Sequence, residues 1–326
     1  MRVSYHPDYV VELPEGHPFP MRKFSELARI VVAEGIAKPH EVLAPDEASW
    51  DTLGLVHTSR YLNALRDGTL AREEERRLGL PWSRALARRS RLATQGTINA
   101  ARWALDDGVA GNLAGGTHHA HPDGGEGFCV INDVAVAVRQ LQREGRARRC
   151  LLVDLDVHHG NGNAAYFAGD EDVFTFSMHG AKNFPLRKPP SDLDVPLDDH
   201  TGDIDYQTLL ERWLPVAIER ARADLVFYLA GVDVVVGDRY GRLALTRAGL
   251  RRRDEFVLAS LFDKQLPVCV VLSGGYARTA ELTAELHADA FRAAACLLTS
   301  RDHFGKSSVK FSRSPHSGPP SGVVAQ

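Results

Sequence analysis

The sequence predicts an α/β domain built on one buried parallel sheet with helices on both faces. Three observations carry that reading. Short apolar runs rich in β-branched residues, such as CLLVDLDV, DLVFYLAG and PVCVVLSGG, recur from about residue 109 onward. Helix-patterned stretches separate them, and nearly continuous apolar strands alternating with helices mark a parallel sheet covered on both faces. Polar residues collect where the runs end, which is where open parallel sheets bind their ligands.

The first hundred residues read as mostly helical with long loops, and no linker separates them from the strand-rich remainder of the chain. AREEERRLG after Leu70 mixes both signs of charge and reads as a solvated helix face. GVAGNLAGG is a strand running into a loop. NDVAVAVRQLQREG, closed by Gly145, has the apolar spacing of a helix. CLLVDLDV is the next strand, and VFTFSM at 173–178 another. YQTLLERWLPVAIERARA is a helix that leads into the strand DLVFYLAG. Thr246 is placed to N-cap the helix TRAGLRRRDEFVLASLF. PVCVVLSGG is the last strand, and a helix over about 279–298 comes after it. The domain therefore spans 1–300. GKSSVKFSRSPHSGPPSG turns to Ser, Pro, Gly and Lys, so 301–326 reads as a disordered tail.

Composition bounds the function. A net charge of −3 gives no electrostatic reason to expect nucleic acid or an anionic membrane as partner. Cys129, Cys150, Cys269 and Cys296 are far apart, with no C-x-x-C pair, so neither a disulfide framework nor a thiolate zinc site is expected. The N-terminal MRVSYHPDYVVELPEG lacks the apolar core of a signal peptide, and no run reaches transmembrane length, so a cytoplasmic location is expected. No G-x-G-x-x-G opens a helix after a strand and no Walker A sequence occurs, which argues against a dinucleotide or nucleotide site.

The chemistry gathers at five strand ends. DLDVHHGNG places Asp154, Asp156, His158 and His159 after a buried strand; Asp233 comes just after FYLAG. Gly274, Gly275 and Tyr276 follow VVLS, His118 and His119 follow NLAGG, and Ser177 and His179 end VFTFSM. Taken singly, an Asp-x-His pair more often hydrogen-bonds loop backbone and a tyrosine more often packs. Five such coincidences describe a site. Asp156 and His158 are alternate residues on an extended segment and share a face. With Asp233 they make three N/O ligands, the pattern of a catalytic rather than a structural metal. That ligand set admits Fe²⁺ as well as Zn²⁺. His118 and His119 each need an orienting partner at the second ring nitrogen, and Asp154 and Asn161 are available. Tyr276 after two glycines offers a phenolic donor to an oxyanion.

These blocks resemble the histone deacetylase superfamily, with its arginase-like fold, over roughly residues 3–300. GGTHHAHPDGGEGFCVINDVAVA, DLDVHHGNG, AGVDVVVGD and LSGGY carry the resemblance in order. HPFPMRKF and FSMHGAKNFPLRKPPSDLDVPL are similar to the class IV branch and its bacterial relatives. The resemblance implies a histone-deacetylase-like catalytic domain at 1–300, with zinc on Asp156, His158 and Asp233. It implies His119 as general base, His118 beside the leaving amine with Asp154 as its partner, and Tyr276 at the oxyanion. Gly127, Phe128 and Gly275 would contact the acyl-lysine, and a potassium ion would sit near the Asp154 backbone and the Ser177 hydroxyl. Asn161 departs from the class I pattern, which has Asp there, so the basicity expected of His119 is lower.

The implied reaction is metal-assisted amide hydrolysis: the metal polarises the carbonyl and acidifies water, and a histidine moves the proton. The expected substrate is an acetylated or longer-acylated lysine of a protein. Small acylated amines such as acetylpolyamines are the first alternative, and a non-catalytic acyl-lysine binding protein is the second. An arginase-type pair of manganese ions is disfavoured because the D-x-H-x-D arrangement is missing.

Overall fold

Every residue of Cys150–Asp154, Leu225–Leu229 and Val268–Val271 is buried, so these runs are central strands with both faces covered. The structure is a computed structural model that describes residues 1–304. Its strands are β1 (Val3–Ser4), β2 (Val42–Leu43), β3 (Val109–Asn112), β4 (Cys150–Asp154), β5 (Val173–Gly180), β6 (Leu193–Leu197), β7 (Leu225–Leu229) and β8 (Val268–Val271). They form one sheet in the order β2-β1-β3-β8-β7-β4-β5-β6. Every pairing is parallel. The predicted architecture is the observed one.

Helices fill the connections. The N-terminal part holds α1 (Lys23–Ala33), α2 (Trp50–Leu53), α3 (Ser59–Asp67), α4 (Arg72–Leu78) and α5 (Arg84–Asp107). After β3 come α6 (Asp133–Arg143), α7 (Asn161–Tyr166), α8 (Asp203–Ala221), α9 (Arg247–Asp263) and α10 (Ala280–Phe304). Thr246 caps α9 as predicted, its side chain accepting from Gly249 N. Asn132 does the same for α6 at Ala135 N.

Four elements differ from the sequence-based expectation. Edge strands β1 and β2 have two residues each, too short for any periodicity to register. β6 alternates buried Val195 and Leu197 with exposed Pro196, a weak signal inside a loop rich in Pro and Lys. α10 runs on to Phe304, past the boundary expected at 300. Most of the segment 301–326 that was expected to be disordered, residues 305–326, lies outside the described residues. Among the described residues no helix is long and apolar enough to cross a membrane.

Candidate active site

The carboxylates themselves bend the chain as it leaves β4. Asp156 N donates to Asp154 Oδ1 at 3.1 Å, and His158 N donates to Asp156 Oδ1 at 2.8 Å. Val157 N donates to Asp233 Oδ1 at 2.9 Å, which ties this turn to the one after β7. Behind both turns the fully buried Arg253 of α9 donates to Leu155 O at 3.2 Å and Gly231 O at 2.6 Å. One guanidinium thus clamps the two strand ends that carry the expected metal ligands.

Those ligands meet. His158 Nδ1 lies 2.9 Å from Asp156 Oδ1 and 3.2 Å from Asp233 Oδ2, and the ligand atoms of all three residues lie within 4.8 Å of one another. Two features fit a divalent cation there. Asp233 Oδ2 is buried without a hydrogen-bond partner, since the nearby His158 ring is engaged with Asp156. Gly274 leaves the space between the carboxylates open: a Cβ there would collide with Asp233 Oδ2 and come within 2.6 Å of Asp156 Oδ2. The two carboxylates oppose each other's charge. Burial, and then repulsion from Asp156, pushes Asp233 up to about 7. Burial opposes a charge on His158, but Asp156 and Asp233 outweigh it and raise the ring to about 10.

The histidine pair sits above this trio. Its loop is held by Asp133 at the start of α6, which accepts from Gly116 N at 3.1 Å and Thr117 N at 2.8 Å. His118 Nδ1 is 2.7 Å from Asp154 Oδ2, and His119 Nδ1 is 2.6 Å from Asn161 Oδ1, the partners expected from sequence. The two rings are 4.1 Å apart, yet their environments differ. Burial works against a charged His118, but Asp154 and Asp156 overcome it and bring the ring to about 9. Burial and the neighbouring His118 and His158 drive His119 well below the ordinary imidazole range. A charged imidazole therefore stands beside a neutral one.

Aromatic residues wall the approach. Gly127 and Phe128 both have positive φ, 54° and 67°, in a tight turn closed by Cys129 N donating to Glu126 O at 2.8 Å. The turn brings Phe128 to 5.8 Å from Tyr276 and 5.4 Å from Phe19. A Cβ on Gly127 would press on the His119 ring at 2.8 Å. Tyr276 lines the same cavity of about 50 Å³ as His118, His119, Asp156 and His158. Burial, with the charges of Asp156 and Asp233, holds its hydroxyl well above the ordinary phenol range. Gly275 does not line this cavity; a Cβ there would press on Val232 and His287, and its carbonyl faces Lys23 Nζ at 3.4 Å.

Sequence reasoning missed several residues here. Phe184, with its ring 5.0 Å from His119, and Tyr240, 5.0 Å from Tyr276, come from loops with no periodic signal. Lys23 is buried beneath Phe19, Phe24 and Tyr276, and burial lowers it to about 8. Its position in HPFPMRKF gave no hint of burial.

Ser177 stands opposite Asp154 in the β4–β5 register, with its hydroxyl 2.9 Å from His179 Nδ1. His159, His179 and Asp194 form a second close trio. Its charge is already balanced within the chain. His159 Nε2 is 3.3 Å from Asp194 Oδ1, and the Lys188 ammonium lies close enough for Asp194 to favour its charge.

Comparison with known proteins adds relatives to this geometry. Residues 17–292 match the histone deacetylase domain. An uncharacterized protein of Picosynechococcus is 47% identical over 276 residues, covering 85% of this chain and 92% of that protein. Histone deacetylase 2 of Arabidopsis thaliana is 30% identical over 272 residues, covering 81% of this chain and 70% of its own length. The crystal structure of an HDAC homologue complexed with SAHA superposes with a TM-score of 0.75 at 25% identity, covering 92% of this chain and 84% of that one.

Proposed function

The chain belongs to the histone deacetylase family, and on that premise we propose that this deacetylase removes acetyl groups from protein lysines with a zinc ion on Asp156, His158 and Asp233. The observation that carries the reading is the split histidine pair facing the Asp–His–Asp trio inside one aromatic-walled cavity. Titratable neighbours pushed apart in pKa mark acid and base roles. A divalent metal on the trio supplies Lewis acidity toward the substrate carbonyl and toward water.

The chain's own residues do the rest. Neutral His119, with Nδ1–H held by Asn161, presents Nε2 as the base that takes the water proton. Charged His118 alongside disfavours a second positive ring, so His119 passes that proton on to the departing amine. Tyr276, kept protonated, donates to the oxygen that gains charge in the tetrahedral state. Phe128 and Phe184 flank the methylene stem of the lysine. Asp154 and Ser177 hold the potassium ion that the family resemblance implies.

Several observations favour an acetylated protein lysine. A cavity of about 50 Å³ has room for on the order of a few water molecules, which suits an acetyl group and not a fatty chain. The residues lining it include no carboxylate besides Asp156 that would attract a second ammonium. The Arabidopsis relative is named a histone deacetylase, in keeping with a protein substrate.

The test is hydrolysis of acetyl-, butyryl- and myristoyl-lysine peptides and acetylspermidine by protein reconstituted with zinc or iron. Acetyl-lysine peptides should exceed the others by about tenfold or more in kcat/KM, a gap of about 1.4 kcal/mol. Equal or faster turnover of acetylspermidine overturns the protein-lysine assignment, and higher activity with iron overturns zinc.

A further inference from the structure

Asn161 is an amide at a position where a carboxylate would hold the His119 ring by charge. An amide offers an oxygen on one side and an NH₂ on the other, and only the oxygen enforces the Nδ1–H tautomer that leaves Nε2 free as a base. Something must therefore decide which way the amide points. Asn161 Nδ2 donates to Glu126 Oε2 at 2.8 Å and lies 3.0 Å from His121 Nε2. The amide NH₂ thus has a carboxylate acceptor on the side away from His119, and Oδ1 is left facing His119 Nδ1 at 2.6 Å.

We propose that Glu126 is the positioning residue of the catalytic histidine, acting through Asn161 to fix the tautomer of His119. The inference rests on the reading of His119 as the base. An ionised carboxylate can only accept, so Glu126 admits one orientation of Asn161 and penalises the flipped one, in which two oxygens would face each other. His121, 3.5 Å from Glu126, holds the carboxyl below the usual range despite partial burial, so it stays ionised at neutral pH. Glu126 also begins the tight turn that carries Gly127 and Phe128, since its own N donates to Cys129 O at 3.1 Å. One residue thereby links the tunnel wall to the orientation of the base.

Two variants separate orientation from charge. Glu126→Gln can still accept from Asn161 through its amide oxygen and should lose less than about fivefold in kcat. Glu126→Ala cannot, and should lose about 10–100-fold in kcat with KM little changed, the usual worth of an outer partner of a catalytic group. A third variant reverses the sign. Asn161→Asp sets two carboxylates against each other and should be slow, while Asn161→Asp combined with Glu126→Ala should be faster than either single variant. A purely structural Glu126 predicts instead that the double variant is slower than both.

The tautomer can be read without turnover. In wild type the ¹⁵N spectrum of His119 should show a protonated Nδ1, and in Glu126→Ala a mixture or a protonated Nε2. An unchanged tautomer in Glu126→Ala, with folding verified by circular dichroism, overturns the inference even if the protein proves inactive on every acyl-lysine. A shifted tautomer in an inactive protein upholds the inference and overturns the deacetylase reading alone.

Discussion

On the proposed reading, Tyr276 and Asp233 divide the work between the oxyanion and the metal. The phenol is buried beside carboxylates that oppose its ionisation, so it remains a donor at any working pH. A donor aimed at charge that develops only in the transition state acts on kcat. Tyr276→Phe should lower kcat by about 10²–10³, with metal content unchanged. Loss of less than about threefold on a slow substrate would assign Tyr276 to packing against Phe19 and Phe128 alone. Asp233→Ala should do the opposite, removing most bound metal by elemental analysis while the sheet stays folded, because Asp233 Oδ2 has no other partner. Both residues were legible in the sequence, since a charged or phenolic group at the end of a buried strand is conspicuous. Glu126, Phe184 and Lys23 were not. They reach the site from loops or, for Lys23, from the first residue of α1, through contacts up to 252 residues apart in the chain, and no local spacing encodes those.

At the scale of elements, α9 does more than cover the sheet. Its RRRD run sets three arginines side by side, of which Arg252 pairs with Asp203 at the surface. Arg253, the next residue, is fully buried, bonding Asp254 at 2.8 Å and clamping the ends of β4 and β7. Helical periodicity cannot choose among consecutive arginines; the choice is made by two strand-end carbonyls and a buried carboxylate that need a donor. Arg253→Ala leaves Asp254 with Tyr228 as its main partner and the carbonyls of Leu155 and Gly231 short of a donor. We expect a loss of roughly 3–5 kcal/mol in urea unfolding, as for other broken buried pairs. Arg252→Ala should cost less than about 1 kcal/mol. Similar losses in the two variants would show that the clamp is not what orders the strand ends. The strands β4, β7 and β8 were legible as continuous apolar runs because both their faces are buried, and the helices α6, α8 and α9 because one buried stripe writes a period into the sequence. The two-residue strands β1 and β2 have too few positions to write one.

For the whole molecule, a metal at the proposed site and the proton would compete for the same buried charges. In the metal-free protein His158 is raised to about 10 and Asp233 to about 7, because each gains from a proton that offsets the surplus of carboxylate. The sign is the same for both. A group whose folded pKa is raised lends stability below its unfolded pKa and loses it as pH rises through the folded value. The metal-free protein should therefore weaken between about pH 4 and pH 7 through Asp233, and again toward pH 10 through His158. A bound divalent cation removes the need for those protons. At a thousandfold excess over Kd it adds about 4 kcal/mol, or roughly 5–15 °C in Tm for a domain of this size. The gap in Tm between loaded and chelator-treated protein should thus widen from pH 6 to pH 8. Binding must also expel protons, roughly one per metal at pH 8 and approaching two near pH 6. Titration calorimetry in two buffers of different ionisation enthalpy counts them directly. Metal binding without proton release at pH 8 would mean that the His158 ring is already neutral in the metal-free protein. The carboxylates, and not the histidine, would then set the pH dependence of loading.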